Sequence, residues 1–245
     1  MVIKQQQQMH PADIMVVTIA HLLKDNEKVF HGVSSQLPMV AILLAKAMHA
    51  KELSYLNIPG GVNPLAQQLS PYSSAGHEQY TRSEAVFPLE EIFDLSMRGE
   101  LDVAFLSGVQ FDVHGNVNAS VIGDYHKPKV RLPGGAGSAV LIPTVKRALI
   151  WRSKHDPRTF VEKVNFVTTR GNIDRIITPL AVFKFQDGRL QLEAISPLTT
   201  MEEVVAQTGF RVDTDNVDTL PMPTAEEMRL IQKIDKDGVR YKEFN

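Results

Sequence analysis

The chain has 245 residues, a formal net charge of −2, and 43% hydrophobic and 22% charged residues, the balance of a soluble globular protein. It contains no cysteine, which excludes disulfides, thiolate metal sites and cysteine nucleophiles within it. Lysine and arginine are spread along the chain rather than clustered, against a nucleic-acid footprint, and no stretch approaches the roughly 18 apolar residues of a membrane span.

Met1 to Gln8 is polar and glutamine-rich, without the apolar core of a signal peptide. Residues 1–10 therefore read as a flexible leader, the location as cytoplasmic, and residues 11–245 as one domain without internal repeat or linker. From Pro11 to Lys24, Ala12, Met15, Val16, Ile19, Ala20 and Leu23 fall at helical spacing. Lys28 to His31 reads as a short strand ending at Gly32. Met39 to Met48 is apolar on nearly every side except at Lys46, which marks a deeply buried helix. Leu53 to Leu56 reads as a buried strand stopped by Asn57-Ile58-Pro59-Gly60-Gly61. Helix, strand, helix, strand with short glycine-bearing turns is the rhythm of an α/β fold with an open, mainly parallel central sheet and flanking helices.

Leu65 to Val86 reads mostly as loop. Pro88 starts and Gly99 ends a helix, and Asp102 to Leu106 is a strand ending at Ser107-Gly108. Arg147 to Trp151 and Asn165 to Thr168 are strand-like. Ala181 to Phe185 and Leu190 to Leu192 flank the hairpin signal Gln186-Asp187-Gly188-Arg189. Two late helices carry capping-box pairs, Thr200 with Glu203 and Thr224 with Glu227.

Ligands of α/β sheets bind beyond the carboxyl ends of the parallel strands, where three turns are expected here. Gly32-Val33-Ser34-Ser35 could offer helix-terminal amides to an oxyanion or phosphate, or be a glycine turn with a serine cap. Asn57 to Gly61 could allow close approach of a ligand, or only turn the chain. Pro133-Gly134-Gly135-Ala136-Gly137-Ser138 suits amide binding of an anion or a thioester oxygen. It matches neither a phosphate-binding loop with Gly-Lys-Ser/Thr nor a dinucleotide fingerprint. The segment Ser107 to Asn118 is dense in glycine, asparagine, aspartate and histidine. His114-Gly115 could simply turn a hairpin there. Eight histidines are present without metal-ligand spacing, so no metal is expected.

Taken together, these segments resemble the B (beta) subunits of the family I CoA-transferases, of the glutaconate CoA-transferase type. The resemblance is carried by Gly108-x-Gln110-x-Asp112-x-x-Gly115-Asn116-x-Asn118. Ile122-Gly123-Asp124-Tyr125-His126-x-Pro128-Lys129 and Gly134-Gly135-Ala136-Gly137 follow in order. It implies a homologous A (alpha) subunit, as heterodimer or heterotetramer, with the active site between the two. It also implies a coenzyme A thioester as substrate and no tightly bound cofactor. Ser34, Ser35, Asn57, Gly60, Gly108, Gln110, Asn116, Gly134, Gly135, Gly137 and Ser138 are then the substrate-binding candidates.

In such transferases a glutamate at the end of the second strand of this subunit type attacks the acyl-CoA and passes through a glutamyl-CoA thioester. In this chain that place corresponds to Ile58, and no acidic residue lies between Glu52 and Glu78. Related enzymes of the same fold lack the glutamate. They include a decarboxylase of methylglutaconyl-CoA, and Leu53-Ser54-Tyr55-Leu56 resembles the corresponding stretch of that enzyme. Three functions follow as expectations. One is CoA transfer on a glutaconyl- or 3-oxoacyl-CoA, with another carboxylate (Glu78, Glu84 or one from the A subunit). Another is decarboxylation, hydrolysis or carbon–carbon cleavage with partner residues. The last is a non-catalytic sensing or structural role.

Overall fold

A computed structural model describes residues 9–65, 69–70 and 72–244. Residues 1–8 of the expected leader lie outside these. His10 belongs to the first helix cap: its Nδ1 accepts the Ala12 N–H at 3.1 Å, and Asp13 accepts the His10 N–H at 3.4 Å. Helix α1 (Pro11–Leu22) starts there with proline at the position where a missing N–H costs nothing.

Strand β1 (Lys28–His31), helix α2 (Gln36–Met48) and strand β2 (Ser54–Asn57) follow. Lys46, the break in the apolar run of α2, extends to the Leu53 carbonyl and to Asn63 Oδ1, so its ammonium is partnered although its stem is packed. Next come β3 (Gly61–Val62), a 3-10 turn at His77–Gln79, β4 (Ala85–Val86), α3 (Glu90–Met97) and β5 (Val103–Leu106). Two small antiparallel hairpins are then inserted, β6 (Gln110–Phe111) with β7 (Val117–Asn118) and β8 (Val121–Gly123) with β9 (Pro128–Arg131). The chain re-enters the main layer through α4 (Ser138–Thr144), β10 (Arg147–Trp151), β11 (Ile173–Ile177), β12 (Ala181–Gln186) and β13 (Arg189–Ile195). It closes with α5 (Met201–Gln207), β14 (Asp218–Thr219), α6 (Ala225–Ile234) and a 3-10 helix at Val239–Phe244.

The main sheet runs β14-β13-β12-β11-β10-β5-β1-β2-β3-β4. Its centre, from β11 to β2, is wholly parallel, and antiparallel strands extend it on both flanks. This is the α/β architecture expected of the sequence. Alternation along the strands sends Val29, Tyr55, Phe105, Leu149 and Trp151 to a core under α1, α2 and α6. Phe30, Leu56, Ala104, Ala148 and Ile150 go to a second core under α3, α4 and α5.

Asn165–Thr168 is not a strand. Its neighbour Thr169 forms one isolated bridge with Val117, and the Thr168 hydroxyl is used on the Ala119 N–H at 2.9 Å. Conversely, β11 is a strand for which the sequence raises no expectation, with Asp174 and Arg175 among its apolar residues. The two are tolerated because Arg147 pairs with Asp174 at 2.8 Å and Arg175 with Glu193 at 2.6 Å. Of the two expected boxes, Thr224 with Glu227 closes in both directions, whereas Thr200 accepts the Glu203 N–H without a return bond, because the Glu203 carboxylate accepts from the Thr199 hydroxyl at 2.6 Å.

Candidate active site at the carboxyl edge of the sheet

The parallel strands end side by side at His31, Asn57, Leu106 and Trp151. Asn57 is fully buried, and its carboxamide organises the turn that follows β2. Oδ1 accepts the Gly61 N–H at 2.9 Å and Nδ2 donates to the Gln79 carbonyl. Gly60 completes the turn, donating its N–H to the Asn57 carbonyl at 3.0 Å with φ +95°. A side chain at Gly60 would run into the Phe87 carbonyl, so glycine is required on two counts.

Ile58, held by this turn, is half-buried against the core under α3 and α4. Beside it, Leu56, Phe87, Ile92 and Leu95 line an open apolar groove of about 390 Å³ with Glu91 at its margin. Of the alternative carboxylates, Glu84 accepts from Asn63 Nδ2 at 2.9 Å, and Glu78 keeps one buried oxygen without a partner.

Behind Asn57 lies a buried proton-ordered chain. His31 Nδ1 is 2.9 Å from the Gly32 carbonyl, which only accepts, so Nδ1 carries the proton and Nε2 accepts from the Tyr55 hydroxyl at 2.5 Å. The single hydroxyl proton is thereby used. The Gln79 carboxamide, 2.9 Å from Tyr55 Oη, must present its amino group there. Burial holds His31 neutral, its pKa lowered to about 4 against the opposing Gly32 hydrogen bond, and pushes Tyr55 upward. The chain braces β1 against β2 and points into the α1–α2 core.

The turn after β1 is filled from within the chain. Ser34 is exposed with φ +48°, while Ser35 is buried, its Oγ donating to the Val33 carbonyl at 3.1 Å. The serine cap does not form. Glu243, from the terminal 3-10 helix, instead accepts the Gln36 and Leu37 N–H groups at 3.1 and 3.2 Å. A carboxylate thus occupies the helix terminus at which the sequence suggests a bound anion. Burial raises the Glu243 pKa to about 7, and the two amide bonds oppose that shift.

The Gly134 loop follows β9, not a strand of the main sheet as expected, and enters α4. Gly134 has φ +93° and Ala136 φ +40°. Gly134 donates to the Ala119 carbonyl and Ser138 to the Gly135 carbonyl, both at 2.8 Å. Among the described residues, the N–H groups of Gly135, Ala136 and Gly137 meet no protein acceptor. Gly135 is packed tightly, since an added Cβ would lie 2.8 Å from Ala139 Cβ and Thr168 Cγ2. Gly137 abuts Phe93 with room to spare.

The dense segment between β5 and β8 is a hairpin that satisfies itself. Gln110 Oε1 accepts from Asn118 Nδ2 at 2.8 Å and from the Asn165 N–H at 3.2 Å. Asp112 accepts the His114 and Asn116 N–H groups and Asn116 Nδ2, closing the turn around Gly115. Gly108 is packed against Val117 and Phe111. These polar groups hold the hairpin beside the sheet edge, and Gln110 and Asn116 are bound within it. Among the described residues no cluster of three or more histidines or carboxylates could hold a metal ion. Nor is any helix among them long and apolar enough to cross a membrane.

Residues 12–207 match the family model described as coenzyme A transferase. The chain belongs to the coenzyme A transferase family. It is 31% identical to the B subunit of the 3-oxoadipate CoA-transferase of Pseudomonas knackmussii, over 91% of this chain and 92% of that protein. It is 27% identical to the B subunit of the glutaconate CoA-transferase of Acidaminococcus fermentans, over 90% of each. Among solved structures, the decarboxylase AibA/AibB superposes with a TM-score of 0.89 at 29% identity, covering 96% of this chain and 99% of that one. The chain is therefore of the B type within this family, whose substrates are coenzyme A thioesters.

Proposed function

We propose that this chain is the B subunit of a two-component acyl-CoA decarboxylase, acting on a short acyl-CoA of glutaconyl type together with an A subunit. The observation that carries the reading is Ile58. By the resemblance to B subunits the family's nucleophile position falls at Ile58, an apolar side chain packed on the α3–α4 core, on a turn braced at Asn57, Gly60 and Gly61. An isoleucine cannot form the glutamyl-CoA thioester on which transfer depends. The likeness to AibA/AibB supports the same reaction class.

In this reading the free N–H groups of Gly135, Ala136 and Gly137, with Ser138, hold the thioester oxygen. When the carbon–carboxylate bond breaks, its electron pair delocalises to that oxygen. One such amide donor is worth roughly 3 kcal/mol in the transition state. The proton that then returns to carbon is supplied from the side of the A subunit. Gly60 and Ser34 border the acyl chain, and Ser35, Asn57, Gly108, Gln110 and Asn116 support it from behind.

Intact-mass analysis of the complex after incubation with acyl-CoA tests this. The expected result is no covalent coenzyme A adduct on this chain; an adduct on Glu78 or Glu84 would refute it. The 31% identity to part of a 3-oxoadipate CoA-transferase supports a second reading, transfer with a carboxylate from the A subunit. An adduct on that partner would establish it.

A further inference from the structure

Arg152 follows β10 directly, at the carboxyl edge of the sheet. Its backbone N–H donates to the Ile177 carbonyl at 3.0 Å, and the preceding Trp151 carbonyl accepts from Ser107 Oγ at 3.0 Å, so its place is fixed. Three other arginines are at least half-buried, and each has carboxylate partners. Arg147 has Glu27 and Asp174, Arg175 has Asp174 and Glu193, and Arg240 has Asp13 and Asp235. Arg152 makes no contact ion pair among the described residues, and its Nε is buried without an acceptor; Asp156 acts on it only through space, against the lowering of its pKa by burial. The nearby Asp156 is committed elsewhere, to Arg158 at 3.2 Å and to the Arg158 and Thr159 N–H groups. A half-buried guanidinium whose Nε is buried and which touches no carboxylate of its own chain is suited to receive one.

Direction and distance fit the proposed substrate. Ala148 and Ile150 face the α3–α4 core, and strand alternation continues that parity to Arg152, the same side as Ile58. β10, β5, β1 and β2 are successive strands. The register sets Leu149 level with Asn57, hence Ile150 level with Ile58, so three spacings of about 4.8 Å and a two-residue offset of about 6.6 Å put the Arg152 and Ile58 backbones roughly 16 Å apart. An extended arginine and a short acyl chain together bridge such a gap.

We propose that Arg152 is the specificity-determining residue for a terminal carboxylate on the acyl group, making the substrate a dicarboxylic acyl-CoA. The inference rests on the acyl-CoA reading above. It also meets a requirement of that chemistry. Only an ionised carboxylate loses carbon dioxide, and an apolar pocket alone would favour the protonated acid. Arg152 keeps it ionised.

The test compares binding of glutaryl-CoA and butyryl-CoA to the assembled complex by calorimetry; they differ in the terminal carboxylate and, being saturated, have no conjugated path to the thioester oxygen through which that carboxylate could leave. Wild type should favour glutaryl-CoA. Arg152→Gln should weaken glutaryl-CoA by roughly 10- to 100-fold and leave butyryl-CoA within about twofold, with Arg152→Lys between. Thermal unfolding of each variant checks the fold. Equal weakening of both ligands would assign Arg152 to coenzyme A itself and overturn the proposal. So would loss of the A subunit from the Arg152→Gln complex, which would mean that a carboxylate of that partner pairs with Arg152. A wild-type complex that binds neither ligand would sink the acyl-CoA reading. Binding of both without discrimination would sink this inference alone.

Discussion

Asn57 Oδ1 accepts the Gly61 N–H at 2.9 Å, closing the chain over Ile58. Nδ2 of the same carboxamide reaches the Gln79 carbonyl, so one buried side chain joins the turn after β2 to the 3-10 turn. Asn57→Leu leaves Gly61 N–H and Gln79 C=O without those partners in a site that admits little water. The expected loss is about 3 kcal/mol, read from urea unfolding, with acyl-CoA turnover falling as the Ile58 turn loosens. An unchanged unfolding midpoint would show that the turn is held by other contacts.

Two glycines near the proposed site should respond oppositely to alanine. At Gly60 the positive φ and the Phe87 carbonyl both resist a Cβ. Gly60→Ala should cost more than about 2 kcal/mol. At Gly137 φ is −58° and the nearest atoms, in the Phe93 ring, lie 3.7 Å from an added Cβ. Gly137→Ala should therefore fold with wild-type stability, within about 0.5 kcal/mol. Parallel denaturant curves decide the pair.

His31 and His155 are both held neutral, chiefly by burial, with pKa values lowered to about 4 from 6.5. Between those values the unfolded chain binds protons that the folded chain refuses, so stability falls as pH drops from 6.5 towards 4. His155 is held by Thr178 and Thr208 and stacks on Phe160, so little of its ring is left to water. Unfolding free energies at about pH 7 and pH 5 should differ in the wild type, and the difference should shrink in His155→Gln. An identical pH slope in that variant would contradict the assignment.

Glu243 titrates with the opposite sign. Its folded pKa of about 7 lies above the ordinary 4.5, so its ionisation opposes docking and the tail contact weakens as pH rises from 4.5 through 7. Amide exchange in Val239–Phe244 and at Gln36 and Leu37, corrected for intrinsic rates, should be better protected at about pH 5 than at about pH 8. Glu243→Gln, which keeps an acceptor oxygen without the charge, should flatten that dependence. Protection that rises with pH would mean that the carboxylate binds better charged.

Much of the central layer was legible because its signals are local. The apolar run of α2, the glycine turns after β1 and β2, and the Gln186 to Arg189 hairpin declare themselves within a few residues. Partners far apart in sequence were not. Nothing near Ser35 announces that Glu243, 207 residues downstream of Gln36, caps the helix instead. Nothing in the sequence announces strand β11, since Asp174 and Arg175 interrupt its apolar residues, and the ion pairs that absorb both charges come from Arg147 and Glu193, distant in the chain. Asn165–Thr168 has β-forming residues but spends its hydrogen bonds on the β7 hairpin. At the site, Ile58 and the Gly134 loop were visible as motifs. Arg152 was not, since a single arginine after a strand is ordinary until its missing counterion is seen.

The most direct test of the central claim is mass spectrometry of the products formed by the assembled complex from glutaconyl-CoA, with and without acetate. The account predicts a coenzyme A ester lighter by carbon dioxide, in equal yield with or without acetate. Acetyl-CoA formed only when acetate is present would contradict it, and would mean that a carboxylate elsewhere in the complex replaces the glutamate absent at Ile58.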